Sequence, residues 1–287
     1  MTEQQPTERR IETDMELDAP VEAVWKALTD AQELSNWFPP FAEVKPGVGG
    51  HIRVVWDEKQ DWTSPIGAWE PNKHLQLIWS QATPPEQVEQ ARKDGVYCPF
   101  PIAVDYYLED RGGKTLLRLV HSGFSCDTAW DSQYDGTKRG WASELRGLKH
   151  YLEHHRGRKR VFVHAKCTIS DIAMPEAWQR LMGPQAMVAE GTLTGLGVGD
   201  RYAITTVGGD RLEGEIRLSN PPNDFCATAE TFNIAFLRLR IDDGSMASPG
   251  SQINLFMSTY DLPSEQTDAL QNRWQAMLDE VFSTVVS

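Results

Sequence analysis

Twice in this chain a tryptophan opens an apolar stripe at helical spacing. Trp141, Leu145, Leu148 and Leu152 fall at i, i+4, i+7 and i+11, and Trp274, Leu278, Val281 and Val285 repeat that spacing near the C-terminus. Residues at this period share one face of an α-helix. Around the first stripe, Lys138, Arg139, Glu144, Arg146, Lys149 and Glu153 fill most of the remaining surface, so Asp131 to His155 reads as one long amphipathic helix. Such a helix needs a broad apolar partner, and most of the chain before it reads as β-strand. Gly140 and Gly147 sit one step off the stripe. A glycine inside a helix costs about 1 kcal/mol relative to alanine. Each therefore marks a place where a side chain is kept out, for close packing against a strand or for space beside the helix.

Arg9 to Leu17 alternates, with Ile11, Thr13, Met15 and Leu17 on one side, and predicts a first strand. Pro20 suits the first turn of a short helix whose stripe is Val21, Val24, Trp25 and Leu28. Asp30 to Phe38 predicts a second short helix, stopped by Pro39-Pro40, and Gly47-Val48-Gly49-Gly50 is a turn. Strands are predicted at His51–Trp56, Thr63–Glu70, His74–Ser80, Ile102–Leu108 and Thr115–His121, with Pro71-Asn72 and Gly112-Gly113 as hairpin turns. Gln81 to Pro101 is a long connection, and Pro84 to Asp94 within it has room for one or two helical turns. Connections of that length serve as lids or as plain surface insertions.

The same order of signals then returns. Asp18, Trp25 and Leu28 recur as Asp171, Trp178 and Leu181, each 153 residues later. Gly197-Val198-Gly199-Asp200 echoes the first glycine turn, and Pro222-Asn223 echoes Pro71-Asn72. A repeated strand, short helix, sheet and long helix indicates two copies of one domain, which suits a length of 287 residues. The predicted organisation is a disordered tail over 1–8, a first domain over 9–155, a linker over 156–160 and a second, degenerate copy over 161–287. The second copy lacks the long connection and carries the Gly- and Ser-rich stretch Asp242–Ser251 as a hairpin loop. His154 to Arg160 is basic, but cations at a helix end followed by a charged link account for it without a nucleic-acid patch.

Composition excludes several function classes. A net charge of -13 repels nucleic acid and anionic lipid. No run approaches the ~20 apolar residues of a membrane span, and the polar segment Met1 to Arg10 lacks a signal-peptide centre. Cys98, Cys126, Cys167 and Cys226 are far apart, which argues against a zinc site or a disulfide framework and fits a reducing cytoplasm. Gly195, Gly197 and Gly199 follow Leu193-Thr194 but lead into another strand, so they fail as a nucleotide loop. Nothing in the sequence calls for a cofactor or a metal.

Alternation assigns to the helix-facing side of the first sheet Ile52, Val54, Trp56, Trp69, Leu75, Leu77, Trp79, Val104, Tyr106, Leu108, Leu117, Leu119 and His121. Trp56, Trp69, Trp79, Tyr106, Leu119 and His121, with Trp141, Leu145 and Leu148 of the helix, are the candidate ligand-lining residues. Tryptophans on one wall either fill a core or line an apolar slot with a few polar tips. His121 is the one candidate acid or base, with Tyr106 in reach, or Asp105 and Tyr107 if the register slips. Cys98 has no evident histidine partner. In the second copy the inner set is Val188, Tyr202, Ile204, Ile216, Phe225, Ile234, Phe236, Leu255 and Met257. It holds fewer tryptophans and polar tips, so the second copy is expected to be a packed structural partner.

Asp18-Ala19-Pro20-x-x-x-Val24-Trp25-x-Ala27-Leu28-Thr29-Asp30, Leu34-x-x-Trp37, the Gly47–Gly50 turn, Pro71-x-x-x-Leu75, Leu119-x-His121-x-Gly123-Phe124 and Gly140-Trp141-x-x-x-Leu145-x-x-Leu148 resemble the Hsp90-ATPase-activator-homologue-like branch of the START/Bet v 1-like superfamily. The resemblance covers 9–155 and, by order and spacing alone, 160–286. It implies an α+β protein of two tandem helix-grip domains, each a curved antiparallel sheet wrapped on a long C-terminal helix. It also implies a cavity between sheet and helix, which many members use for lipids, hormones or polyketides. The expected function is binding of a small hydrophobic or aromatic ligand in the first domain. A cyclase- or hydrolase-type enzyme using His121 is one alternative, and a chaperone-associated interaction module is another. Chaperone-activating members carry an Asn/Trp/His-rich N-terminal signature that this sequence lacks, which weighs against a chaperone partner. A homodimer is an admissible assembly.

Overall fold

The computed structural model describes residues 8–57, 60–94, 97–98, 100–170, 172–183, 187–242 and 251–283. The expected tail up to residue 7, Asp171, the loop expected inside Asp242–Ser251 and Val285 lie outside the described residues. The chain forms two compact units, Met1–Gly157 and Arg158–Ser287. Each closes its own sheet against its own long helix.

In the first unit β1 (Glu8–Leu17) leads into α1 (Val21–Thr29) and α2 (Ala31–Ser35). The strands β2 (Phe41–Lys45), β3 (His51–Asp57), β4 (Gln60–Glu70), β5 (His74–Ser80), β6 (Ile102–Asp110) and β7 (Thr115–Ser125) follow. A 3-10 turn at Pro85–Gln87 and α3 (Val88–Lys93) lie in the long connection, and α4 (Asp131–His150) closes the unit with a π-helical turn at Tyr151–His155. The sheet order is β1-β7-β6-β5-β4-β3-β2, antiparallel throughout. β2 was not predicted from sequence. Of its five residues Ala42 alone is buried, so an edge strand paired only with β3 leaves little periodic signal.

Local chemistry starts and stops these elements. The Asp30 carboxylate accepts from the backbone N–H of Gln32 and Glu33, both at 3.0 Å, and so caps α2. The stripe Trp141, Leu145, Leu148 and Leu152 is buried along α4. Burying a leucine fully contributes about 2 kcal/mol, and Leu145 and Leu148 are both fully buried.

Two bulges set which side chains face the helix. In β4, Ile66 pairs with Leu77 but Ala68 pairs with Gln76, so Gly67 is the extra residue. Trp62 and Ser64 oppose the inward Val54 and Ile52, and Ile66 and Trp69 oppose Leu77 and Leu75. Simple alternation back from Trp69 would have turned Trp62, Ser64 and Ile66 outward. In β7 the register on β1 shifts between Arg9 and Ile11, next to Gly123 at φ +91. A Cβ on Gly123 would lie 2.2 Å from the Pro101 carbonyl oxygen, so no side chain fits there.

The second unit runs β8 (Arg160–Ile169), α5 (Met174–Met182), β9 (Val188–Gly191), β10 (Arg201–Thr206), β11 (Arg211–Asn220), β12 (Asp224–Ala229), β13 (Ala235–Asp242), β14 (Ser251–Tyr260) and α6 (Ser264–Ser283). Its order, β8-β14-β13-β12-β11-β10-β9, repeats that of the first sheet. Only a 3-10 turn at Glu230–Phe232 and two further residues separate β12 from β13. The predicted phase of β13 was one residue out. Asn233 and Ile234 both take left-handed backbone, and alternation restarts at Ala235. Leu237, Leu239 and Ile241 therefore enter the core, Phe236 lies on the opposite face, and Ile234 is 38% exposed. Gln271 of α6 bonds both the N–H and the carbonyl of His164, at 2.7 and 2.6 Å, and Gln275 does the same for Lys166, at 3.1 and 3.0 Å. The edge strand β8 is thus covered by its own helix. Both units are helix-grip folds, and the chain is an α+β tandem of them.

Candidate functional site

The site is built where β7 faces the middle of α4. His121 lies near the end of β7 at 0% exposure. The Trp141 indole Nε1–H donates to His121 Nδ1 at 2.9 Å. An indole nitrogen can only donate, so Nδ1 is the acceptor and the neutral ring carries its proton on Nε2. That Nε2 is buried and has no hydrogen-bond partner among the described residues. Burial alone pushes the imidazole down to about 3, so the ring stays uncharged. Leaving a buried N–H unmet costs about 1–3 kcal/mol.

Aromatic side chains surround this pair. Trp79 meets the imidazole edge-on with centroids 4.4 Å apart, and Phe124 packs at 4.7 Å. Around the Trp141 indole stand Trp79 at 5.9 Å, Tyr106 at 6.0 Å and Phe38 at 6.2 Å. The cluster continues outward from Phe38 to Trp56 at 5.6 Å and from Trp79 to Trp62 at 6.3 Å. Trp141 and Tyr106 are buried, whereas Phe38, Trp56, Trp62 and Trp79 are only half-buried. Glu144, one turn along α4 from Trp141, lies close enough to Tyr106 that its charge adds to burial in raising the phenol pKa.

The fold brings Trp56, Trp79, Tyr106, His121 and Trp141 into one contiguous group, with Leu119, Leu145 and Leu148 fully buried on the same two faces. Trp69 stands apart, edge-on to Trp25 of α1 at 5.1 Å. The partner of His121 is Trp141 rather than Tyr106. Asp105 lies on the opposite face, bonded to His74 at 2.7 Å and to Gln76 at 3.0 Å. Tyr107 stacks on that histidine and is exposed. Cys98 is buried, its thiol donates to the Phe100 carbonyl at 2.8 Å, and burial raises its pKa, so it is kept as an inert thiol. Among the described residues no group of three or more His, Cys, Asp or Glu is placed to hold a metal ion.

Phe38, Trp62 and Phe124 belong to the group but were not among the candidate ligand-lining residues. Trp62 was hidden by the Gly67 bulge, and Phe124 by the Gly123 bulge that brings it onto the same side as His121. Phe38 sits in a turn after α2, where no periodicity applies. In the second unit the corresponding tryptophan, Trp274, has a different partner. Its Nε1–H donates to Asp210 Oδ2 at 3.2 Å, and Asp210 is also held by Arg273 at 2.6 Å. That carboxylate is spent on an ion pair.

Residues 18–153 match the family model described as Activator of Hsp90 ATPase homolog 1-like protein. The matched residues span almost all of the first unit and just under half of the chain. Among solved structures, it is similar to DynU16, a protein of the dynemicin biosynthetic locus, at 18% identity and TM-score 0.40, covering 96% of each chain. It is also similar to BexL, a di-domain ARO/CYC of the BE-7585A biosynthetic pathway, at 16% identity and TM-score 0.43, covering 96% of this chain and 94% of that one. The Aha1 dimer from Colwellia psychrerythraea is 20% identical, at TM-score 0.41, over 52% of this chain and 99% of that one. No curated protein matches the chain. No described helix is long and apolar enough to cross a membrane.

Proposed function

We propose that the first unit binds a small aromatic or apolar molecule between its sheet and α4. The observation that carries this is the contiguous set of half-buried rings, Phe38, Trp56, Trp62 and Trp79, leading to the buried Trp141 and His121. Rings that only fill a core are covered, as Trp37 and Trp274 are. Half-covered rings in mutual contact offer a planar ligand stacking faces worth about 0.5–1.5 kcal/mol each beyond burial. The second unit is a structural partner, because its tryptophan is tied to an ion pair. Four cysteines spaced far apart in the sequence suit a reducing cytoplasmic setting.

The binding reading is favoured over acid–base catalysis by His121. A ring held neutral down to about pH 3 is a poor base near neutrality, and among the described residues no carboxylate bonds it to raise its basicity. Native mass spectrometry and tryptophan-fluorescence titration against aromatic and lipid libraries test the proposal. Saturable binding is expected, weakened by Trp56→Ala and blocked by Leu145→Trp. A chain that takes up no compound from either library would refute it.

A further inference from the structure

We infer that His121 selects, among such ligands, uncharged aromatic molecules that present a carbonyl-type oxygen to its Nε2–H, and that Trp141 is the positioning residue that holds this donor in place. The inference rests on the binding reading above. It follows from the bond pattern at the imidazole. Trp141 occupies Nδ1 and can only donate, which leaves Nε2 as a fixed donor. Among the described residues no oxygen or nitrogen accepts from it. The rings of Trp79 and Phe124 pack on the imidazole, and an aromatic face accepts an N–H far more weakly than an oxygen does. Trp79 touches both the imidazole and the half-buried Trp62, and so links the outer rings to the histidine.

Charge narrows the class. The neutral imidazole offers no cation to a carboxylate or phosphate, and the carboxylate of Glu144 beside Tyr106 opposes an anion on that side. A neutral acceptor is what remains. Aromatic ketones combine it with a planar face for the tryptophans.

Fluorenone and fluorene, which share one shape and differ by the carbonyl, test this on the full chain by fluorescence titration. The expected result is fluorenone binding about tenfold more tightly, the difference a satisfied buried donor makes. His121→Leu should bring the two affinities together. His121→Gln should keep most of the preference, because its amide can accept from Trp141 and donate to the ketone. Nitrogen-15 NMR of histidine-labelled protein should show Nε2 protonated and Nδ1 bare, with the Nε2–H proton moving downfield on adding fluorenone and not on adding fluorene. Trp141→Phe should let the Nδ1–H tautomer appear. Should His121→Leu fail to fold, the wild-type probe pair and the NMR experiment still decide. Equal affinities for the two probes, or an Nδ1-protonated ring in the wild type, would overturn the inference and leave the binding reading standing. Binding of neither probe would also overturn the inference, and the binding reading would then be decided by the library titration alone.

Discussion

Lowering the pH should destabilise the first unit through His121 in a way that can be calculated. The unfolded chain protonates this imidazole near its ordinary pKa of 6.5, whereas in the folded unit burial pushes it down to about 3. Because the folded value is depressed, the stability involved is fully present above about pH 6.5 and is lost as pH falls toward 3. Each pH unit inside that window costs about 1.4 kcal/mol. Between pH 7 and pH 5 the loss from this one group is about 2 kcal/mol. The assay is urea denaturation of the wild type and of His121→Gln at both pH values, followed by near-UV circular dichroism. The amide introduced in that variant has no proton to gain and can still accept from the Trp141 indole. The six other histidines are common to both proteins, so their contributions cancel in the difference. The wild type should therefore lose about 2 kcal/mol more than the variant over this interval. Equal losses would mean that the folded imidazole takes up a proton as easily as the unfolded one. The fixed donor at Nε2, on which ligand selection depends, would then be wrong.

Three further outcomes follow from the geometry. Gly123→Ala should cost at least about 3 kcal/mol in urea denaturation, since the residue sits at φ +91 and its new Cβ would meet the Pro101 carbonyl at 2.2 Å. Asp210→Ala should destabilise the second unit by about 2 kcal/mol, chiefly by orphaning the buried Trp274 N–H, because the freed Arg273 is partly exposed and can rehydrate. The loss should appear in differential scanning calorimetry without changing ligand affinity in the first unit. Tyr151→Phe should cost about 2 kcal/mol by thermal denaturation. The buried phenol donates to Glu33 at 2.5 Å and accepts from the Asn36 amide at 3.2 Å and the Gly157 N–H at 2.9 Å, tying α2 to the end of the long helix.

Much of the architecture can be read from local periodicity. The buried stripe of α4, the inward set of β3, β5 and β6, and the matching order of the two sheets all follow from which positions are apolar. A helix or a regular strand carries its buried face in its own spacing, so no distant residue is needed to find it. That is why Trp141, Leu145 and Leu148 were found from the stripe, and Trp56, Trp79, Tyr106, Leu119 and His121 from strand alternation. Irregular positions broke the same logic. The left-handed pair Asn233-Ile234 shifted β13, and the extra residue at Gly67 concealed Trp62. A bulge changes the phase of every residue beyond it, and a single glycine does not announce whether it is a bulge or a packing site.

The chemistry of the site was settled at a different level. The sequence by itself determined that two greasy helices need two sheets, and that tryptophans and one histidine line the first. Only the tertiary structure decided that the first helix tryptophan bonds His121 while its counterpart bonds Asp210. It also decided that Trp69 packs on Trp25, away from the others, and that Gln271 and Gln275 cover the edge of β8. The physical reason is that apolar burial is non-directional and leaves a periodic trace along the chain. A hydrogen bond is directional and joins atoms whose meeting depends on strand register and on helix placement many residues away.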